Sequence, residues 1–415
     1  MLLFESKLDG MQQQYDAVDE AIRTARFIRN SCLKYWQENR GVGRYDLSRY
    51  CAVLADCPDF HWAKKLNSMA RQASAERAWS AISRFFDNCK KNVAGGRVDR
   101  PDQKGYPKFK KHQTNSSVEY KTSGWKLSED RRFLTFTDSF KAGTFKLWGS
   151  RDLHFYQQGK IKRIRVVRRA DGYYAQFCID TERLEQREPT GKTIGLDVGL
   201  NHFSTDSDDN QIENPRYLRK SERALKRVQK RLSRKQKGSK NRIKARGRLG
   251  RKHLRVSRQR KDFAVKLARC IVRSSDLVAY EDLKVRNMIK NHHLAKSISD
   301  ASWSLFRQWI EYFGKVFGVV TIAVPPHYTS RKCSRCGEVV KKTLSTRTHQ
   351  CPHCGYVADR DENAARNIRQ IGLATAGHVG SWEDDSRNVS GEIDLCLGES
   401  TPPSKSARGK RKSKA

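Results

Sequence analysis

The chain has 415 residues, 84 of them Lys or Arg against 45 Asp or Glu, for a formal net charge of +39. A field of that sign points to a polyanionic partner, nucleic acid by default. No apolar run approaches the ~20 residues of a membrane-spanning helix. The length allows two to four domains. The 37% hydrophobic content suffices for cores in part of the chain. No secretory signal precedes the cysteines, whose usage fits a reducing compartment.

In chain order, residues 1–15 hold a short strand around Leu2–Leu8. From Asp16, the positions Val18, Ile22, Ala25, Ile28, Cys32 and Tyr35 recur at three- and four-residue steps, the face of a helix. A second helical run covers 64–90, with Ala75, Trp79, Ile82 and Phe86 on one side. These helices carry Arg23, Arg26, Arg29, Arg71, Arg77 and Arg84. Each alone reads as solvated surface; with the overall charge they suggest a helical lobe that faces nucleic acid.

Residues 91–115, rich in Gly and Pro, read as a loop. Across 116–182 the period falls to two, and Asp171-Gly172 between two alternating runs signals a hairpin. A small antiparallel barrel or sheet is expected there. Its Lys160, Lys162, Arg163, Arg165, Arg168 and Arg169 either contact phosphates or keep strand edges soluble. A polar linker follows at 183–190.

Thr193–Leu200 is an apolar strand interrupted by Asp197, with Gly195 and Gly199 leaving room near the carboxylate. Residues 216–262 hold 22 Lys or Arg against Glu222 and Asp262. With a thin apolar stripe (Leu225, Val228, Leu232) and breaks at Gly238 and from Gly247 to Gly250, this reads as a hairpin of basic helices. The charge density makes it a phosphate-tracking element, with Arg219, Lys226, Lys230, Arg234, Lys237, Arg242, Arg246 and Arg251 as candidate nucleic-acid contacts.

Phe263–Arg273 continues as an amphipathic helix. Asp276–Leu283 is a buried strand ending in Glu281 and Asp282, 287–300 a polar loop, Trp303–Gly318 a helix, and Val319–Val324 a short strand. Cys333-Ser-Arg-Cys336 and Cys351-Pro-His-Cys354, fourteen residues apart, have the spacing of a closed tetrahedral zinc site, each knuckle followed by Gly. Four thiolates fill such a site, so the zinc is structural, and His349 and His353 are bystanders or nucleic-acid contacts. After Ile371 periodicity is lost, and 376–415 reads as a disordered basic tail.

Asp197, Glu281 and Asp361 share one property: acids in or beside apolar elements are costly unless a cation or partner compensates them. Asp359 is accounted for by a capping box with Glu362. Three carboxylates without His or Cys suit two Mg²⁺ or Mn²⁺ ions, which together activate a water and stabilise a leaving oxygen. On so basic a chain the scissile bond is a phosphodiester.

Gly195-Leu-Asp-Val-Gly199, Tyr280-Glu-Asp-Leu283, Ser297-Ile-Ser-Asp-Ala-Ser-Trp303, Tyr328 to Gly337, Cys351 to Gly355 and Asp359-Arg-Asp-Glu-Asn-Ala-Ala-Arg-Asn367 resemble TnpB, the insertion-sequence-encoded family thought ancestral to type V CRISPR nucleases. The motif match spans about 191–371; the N-terminal half matches by layout. The resemblance implies a multidomain α+β protein. An RNase H-like RuvC α/β nuclease domain with a zinc-ribbon insertion would be preceded by a β-barrel wedge domain carrying an inserted helical recognition lobe. The expected boundaries are wedge 1–15, helical lobe 16–115, wedge 116–182, linker 183–190, RuvC 191–330 with the basic hairpin at 214–262, zinc ribbon 331–358, RuvC 359–375 and tail 376–415.

The family's metal-binding acids fall on Asp197, Glu281 and Asp361, and its zinc ligands on Cys333, Cys336, Cys351 and Cys354. The implied activity is RNA-guided DNA cleavage beside a short target-adjacent motif. The partners would be a guide RNA from the element's right end and double-stranded target DNA, and the location the prokaryotic cytosol or nucleoid. A monomer bound to RNA is expected, and no membrane. The alternatives are a compact type V CRISPR effector and a non-cleaving RNA-guided repressor; the latter is expected to have lost one or more metal acids.

Overall fold

The computed structural model describes residues 2–94, 105–111, 117–149, 153, 156–343 and 346–379. Expectations for 95–104, for 112–116 and for the tail from 380 onward fall outside the described residues.

β1 (Leu2–Asp9) buries alternate residues and lies centrally in an antiparallel sheet. The other strands are β2 (Ser117–Tyr120), β3 (Trp125–Leu127), β4 (Phe133–Phe136), β5 (Gly143–Trp148), β6 (Ile161–Arg169) and β7 (Gly172–Ile179), in the order β2-β6-β7-β1-β5-β4-β3. The hairpin expected at Asp171-Gly172 joins β6 to β7, and Gly172 takes a φ of +140° there.

Between β1 and β2 run α1 (Gln12–Glu38), α2 (Arg44–Asp56) and α3 (Ser68–Ala94). The helical face expected for α1 is the one it buries: Val18, Ile22, Ala25, Ile28 and Cys32 join the sheet's inward residues in a continuous core. Tyr35 is half-buried and stacks on Tyr50 at 4.3 Å. α2 was not anticipated; its buried Leu47, Cys51, Leu54 and Ala55 form a narrow face within a largely polar segment. α1 starts at 12 and α3 reaches 94, so the lobe begins before residue 16 and helix replaces the start of the expected loop.

The structure revises the helical arginines. Arg29 is buried, with Nη1 donating to Asn30 and to the Lys108 carbonyl. Arg77 donates to the Ser117 carbonyl at 2.9 Å. Both hold the lobe together; Arg23 and Arg84 are exposed. On β6, Arg163 and Arg165 pair with the buried Glu119, Arg168 with Asp19 and Arg169 with Glu5. These four arginines have internal partners, although Arg168, like Lys160 and Lys162, is exposed.

A mixed five-stranded sheet follows, in the order β10-β9-β8-β11-β12. Its strands are β8 (Thr193–Val198), β9 (His202–Asp206), β10 (Gln211–Glu213), β11 (Leu277–Glu281) and β12 (Val320–Val324). β8, β11 and β12 run parallel; β9 and β10 are antiparallel additions. α4 (Tyr217–Ser233) and α5 (Lys240–Arg273) are the basic hairpin.

Gly238 turns the chain with a φ of +85°, but Gly247 and Gly250 lie inside α5. Each costs a helix about 1 kcal/mol, which 34 residues with a packed C-terminal half absorb. At Gly250 a Cβ would meet Ala170 at 2.9 Å, so α5 comes down on the β6–β7 turn. Arg258 locks that contact by donating to Asp171 and to the Tyr174 hydroxyl, both at 2.7 Å.

The 287–300 segment is not a plain loop. It holds α6 (Val285–Met288) and α7 (Ala295–Ala301). Buried Asp300 accepts from the Leu218 and Arg219 amides at the start of α4 and from Arg260 on α5, capping one helix and pinning the other. α8 (Trp303–Phe317) packs with α5 over one face of the sheet. The 183–190 segment is strapped to this body. The Glu185 amide donates to Val316 O, the Thr190 and Gly191 amides donate to Asp276, and Arg187 pairs with Asp276 at 2.7 Å.

The short hairpin β13 (Thr348–Gln350) and β14 (Val357–Asp359) leads into α9 (Arg360–Val379), which covers the other face of β8, β11 and β12. α9 thus extends past the expected boundary at 375. Among the described residues no helix is long and apolar enough to cross a membrane.

Candidate active site

Parallel pairing of Leu196 with Tyr280 sets Asp197 and Glu281 side by side, one residue further along, at the carboxyl ends of adjacent strands. Side chains alternate along a strand, so each acid shares its face with the residue two before it. Those residues are Gly195 and Ala279, and both lie under α9. A Cβ on Gly195 would meet Ala365 O at 2.1 Å and Arg369 N at 2.5 Å; a Cβ on Gly372 would meet the Ala279 Cβ at 2.5 Å. Gly195 therefore makes room for a helix, not for the carboxylate as expected, while a Cβ on Gly199 would meet His202 O at 3.0 Å in the β8–β9 turn. The small residues let α9 descend, and its first turn brings Asp361 toward the two strand acids.

Asp359 caps α9 by accepting from the Asp361 amide at 2.7 Å. The capping box is half made, because Glu362 pairs with Arg366. Arg360 Nε and Nη2 donate to Asp361 Oδ1 at 3.0 and 2.8 Å. Asp282, next to Glu281 at the strand end, pairs with Arg307.

The acids feel one another. Burial pushes the Asp197 carboxyl well above the usual range, and the negative charges of Glu281 and Asp361 push it further, against Arg360. Burial also raises Glu281, as does Asp361; the Thr329 hydroxyl, donating to Glu281 Oε1 at 2.5 Å, opposes the rise. Without a cation, the folded chain then holds protons on these groups that the unfolded chain has released above about pH 4. Stability accordingly falls as pH rises through that window toward the raised values. Without added Mg²⁺ or Mn²⁺, the melting temperature should drop as the pH rises above about 4 more steeply than for Asp197→Asn. Parallel slopes would show that the carboxylate is not held this way.

The four cysteine sulfurs lie within 4.8 Å of one another, with 3.6 Å for Cys333–Cys354 and for Cys336–Cys351. Tetrahedral zinc with ~2.3 Å bonds to sulfur sets its ligands about 3.8 Å apart, so the cluster fits one ion. Gly337 and Gly355, with φ of +80° and +69°, donate their amides back to the Cys333 and Cys351 carbonyls, closing both knuckles. His349 is fully buried with its ring against the Lys342 amine, which excludes it as a nucleic-acid contact; His353 is exposed.

Sequence reasoning missed the polar residues that fasten the knuckle to α9. Asn363, fully buried, accepts from the Ser334 amide and donates to Lys332 O. Asn367 donates to Thr329 O and to Lys332 O. Their spacing of four residues inside the Asp359–Asn367 motif, on the face of a helix turned inward, was the available signal.

Two family models match. One, described as "Probable transposase", covers 176–292, and one described as "Cas12f1-like, TNB domain" covers 303–368. The first includes Asp197, the basic hairpin and Glu281, and the second all four cysteines and Asp361. A "Putative RNA-guided DNA endonuclease" of Streptomyces pristinaespiralis is 29% identical, with 90% of each chain covered. The "Putative RNA-guided DNA endonuclease InsQ" of Escherichia coli K12 is 29% identical over 84% of this chain and 87% of its own. Over most of its length the chain is similar to RNA-guided endonucleases of the TnpB type. Its fold is also that of the protein in a cryo-EM structure of a Cas12f1-sgRNA-target DNA complex: TM-score 0.52, 17% identity, 86% and 83% covered.

The hairpin candidates divide. Arg219, Lys226, Lys230, Arg234, Lys237, Arg246 and Arg251 are exposed. Arg242 instead donates to Leu232 O and Lys235 O and seals the α4–α5 turn. Lys226 also pairs with Glu222 at 2.8 Å, a surface contact worth little.

Proposed function

We propose that this chain is an RNA-guided DNA endonuclease encoded by an insertion sequence, cutting DNA beside a short target-adjacent motif at a RuvC-type site. The observation that carries this is the gathering of Asp197, Glu281 and Asp361, from two parallel strands and a helix start, closely enough that burial and the neighbouring negative charge raise the Asp197 and Glu281 carboxyls. An oxygen-only donor set of this charge fits hard divalent cations. Two Mg²⁺ or Mn²⁺ ions would supply an activated water and a stabilised leaving oxygen.

The chain's own contributions are distinct. Asp197 and Glu281 offer carboxylates from rigid strand ends. Asp361 offers a third from the first turn of α9, and Arg360 holds it in place. Cys333, Cys336, Cys351 and Cys354 would hold one structural Zn²⁺ as a zinc ribbon. The exposed bases of α4 and α5 track the backbone of a guide RNA–DNA duplex, whose pairing reads the sequence. The presence of all three acids speaks against the non-cleaving repressor.

The test starts from the RNA that co-purifies with the chain. Its sequence defines a target, and a plasmid library carrying that target beside randomised flanks should be cut in Mg²⁺ at a restricted set of flanks. Co-purifying RNA without a common guide, or cutting independent of the target, would remove the RNA-guided reading.

A further inference from the structure

Glu281 stands at a strand end with a partner that the metal chemistry does not explain. Thr329 is buried, and its hydroxyl donates to Glu281 Oε1 at 2.5 Å. Thr329 lies in the turn between β12 and the first knuckle, outside any strand or helix, so nothing regular fixes its position. What fixes it is Asn367 Nδ2, which donates to Thr329 O at 2.8 Å and to Lys332 O at 2.7 Å. Asn363 adds a second bond to Lys332 O at 2.8 Å and accepts from the Ser334 amide at 2.9 Å. Lys332 and Ser334 flank Cys333, and the Arg331 and Lys332 amides close the turn on Tyr328 O. A continuous set of hydrogen bonds therefore runs from the cysteine knuckle, through two asparagines of α9, to one oxygen of Glu281.

We propose that Thr329 is a positioning residue for Glu281 and that Asn367 and the first cysteine knuckle hold it in place, so that the ribbon sets the orientation of the carboxylate. The proposal rests on the reading of Glu281 as a metal ligand. The physical argument is one of freedom. A Glu side chain has three rotatable bonds, and one bond to a fixed hydroxyl leaves Oε2 as the oxygen free to face a cation while Oε1 is held. Partners of this kind, behind a ligand, are typically worth 10–100-fold in metal affinity or activity. Valine keeps the shape of threonine and removes the hydroxyl; serine keeps the hydroxyl and removes a methyl.

The test uses full-length chain with its co-purified RNA and manganese(II) as probe. Mn²⁺ affinity is read by electron paramagnetic resonance, with Glu281→Gln as the blank for this site, and target cleavage is followed against Mn²⁺ concentration. Zinc content and RNA binding verify that each variant is folded. Thr329→Val should weaken the Glu281-dependent Mn²⁺ binding about 10–100-fold, with a matching shift of the Mn²⁺ concentration for half-maximal cleavage, and Thr329→Ser should restore both to within about threefold. If Thr329→Val binds Mn²⁺ like the parent while Glu281→Gln is dead, the positioning role is overturned and the site reading survives. If Glu281→Gln itself cleaves normally, both fall.

Discussion

Asp197→Ala should eliminate Mg²⁺-dependent cleavage, with a loss of about 10³-fold or more. Stabilising transition-state charge with a bound cation is worth several kcal/mol, and each 1.36 kcal/mol is tenfold in rate. The variant should keep its fold, because the substitution removes a buried acid that burial and two neighbouring acids already disfavour in its charged form. A melting temperature equal to or above that of the parent without added Mg²⁺, together with unchanged RNA binding, is the expected companion result. Retained cleavage would mean that the strand acids are structural. The double variant with Glu281→Gln should be no worse than Asp197→Ala alone, since ligands of one site act as a unit and their losses do not add.

Cys333→Ser should have the second largest effect, and on a different observable. Zinc per chain should fall from about one toward zero, because a closed structural site needs all four ligands. Structural zinc contributes roughly 10–16 kcal/mol of apparent binding energy in small domains, so the knuckles should lose their fold without it. Lys332 O and the Ser334 amide, which flank Cys333, would then no longer be presented to Asn363 and Asn367. Cleavage should fall although the substitution lies outside the carboxylate site. Elemental analysis beside a cleavage assay checks both halves. An unchanged zinc ratio removes the ribbon, and zinc loss with full activity removes its link to the carboxylates.

Much of this was legible in the chain itself. Alternation marked β6 and β7, although β7 is buried on both faces and it is β1 that buries every second residue. The three- and four-residue steps of Val18 to Cys32 marked α1, whose buried face they form. The cysteine spacing marked the knuckles because a tetrahedron dictates it. Asp197 and Glu281 stood out as charges in apolar strands.

What was not legible depends on contacts distant in sequence. Gly195 looked like space beside a carboxylate, but its neighbour is the backbone of a helix 170 residues later. Asp300 looked like a loop residue because its partners, the α4 amides and Arg260, are brought to it only by the hairpin's return. Arg29, Arg77, Arg163 and Arg165 looked like surface charge because a guanidinium carries no periodic signal of its own partner. Thr329, Asn363 and Asn367 are polar residues whose partners are mostly main-chain atoms, which no side-chain pattern reveals.

The most direct measurement is the position of manganese in the RNA- and DNA-bound protein, located by anomalous scattering or high-resolution cryo-microscopy. The account predicts two ions about 4 Å apart, between Asp197, Glu281 and Asp361 and beside the start of α9. Manganese elsewhere, with these three carboxylates paired only to protein groups, would contradict it.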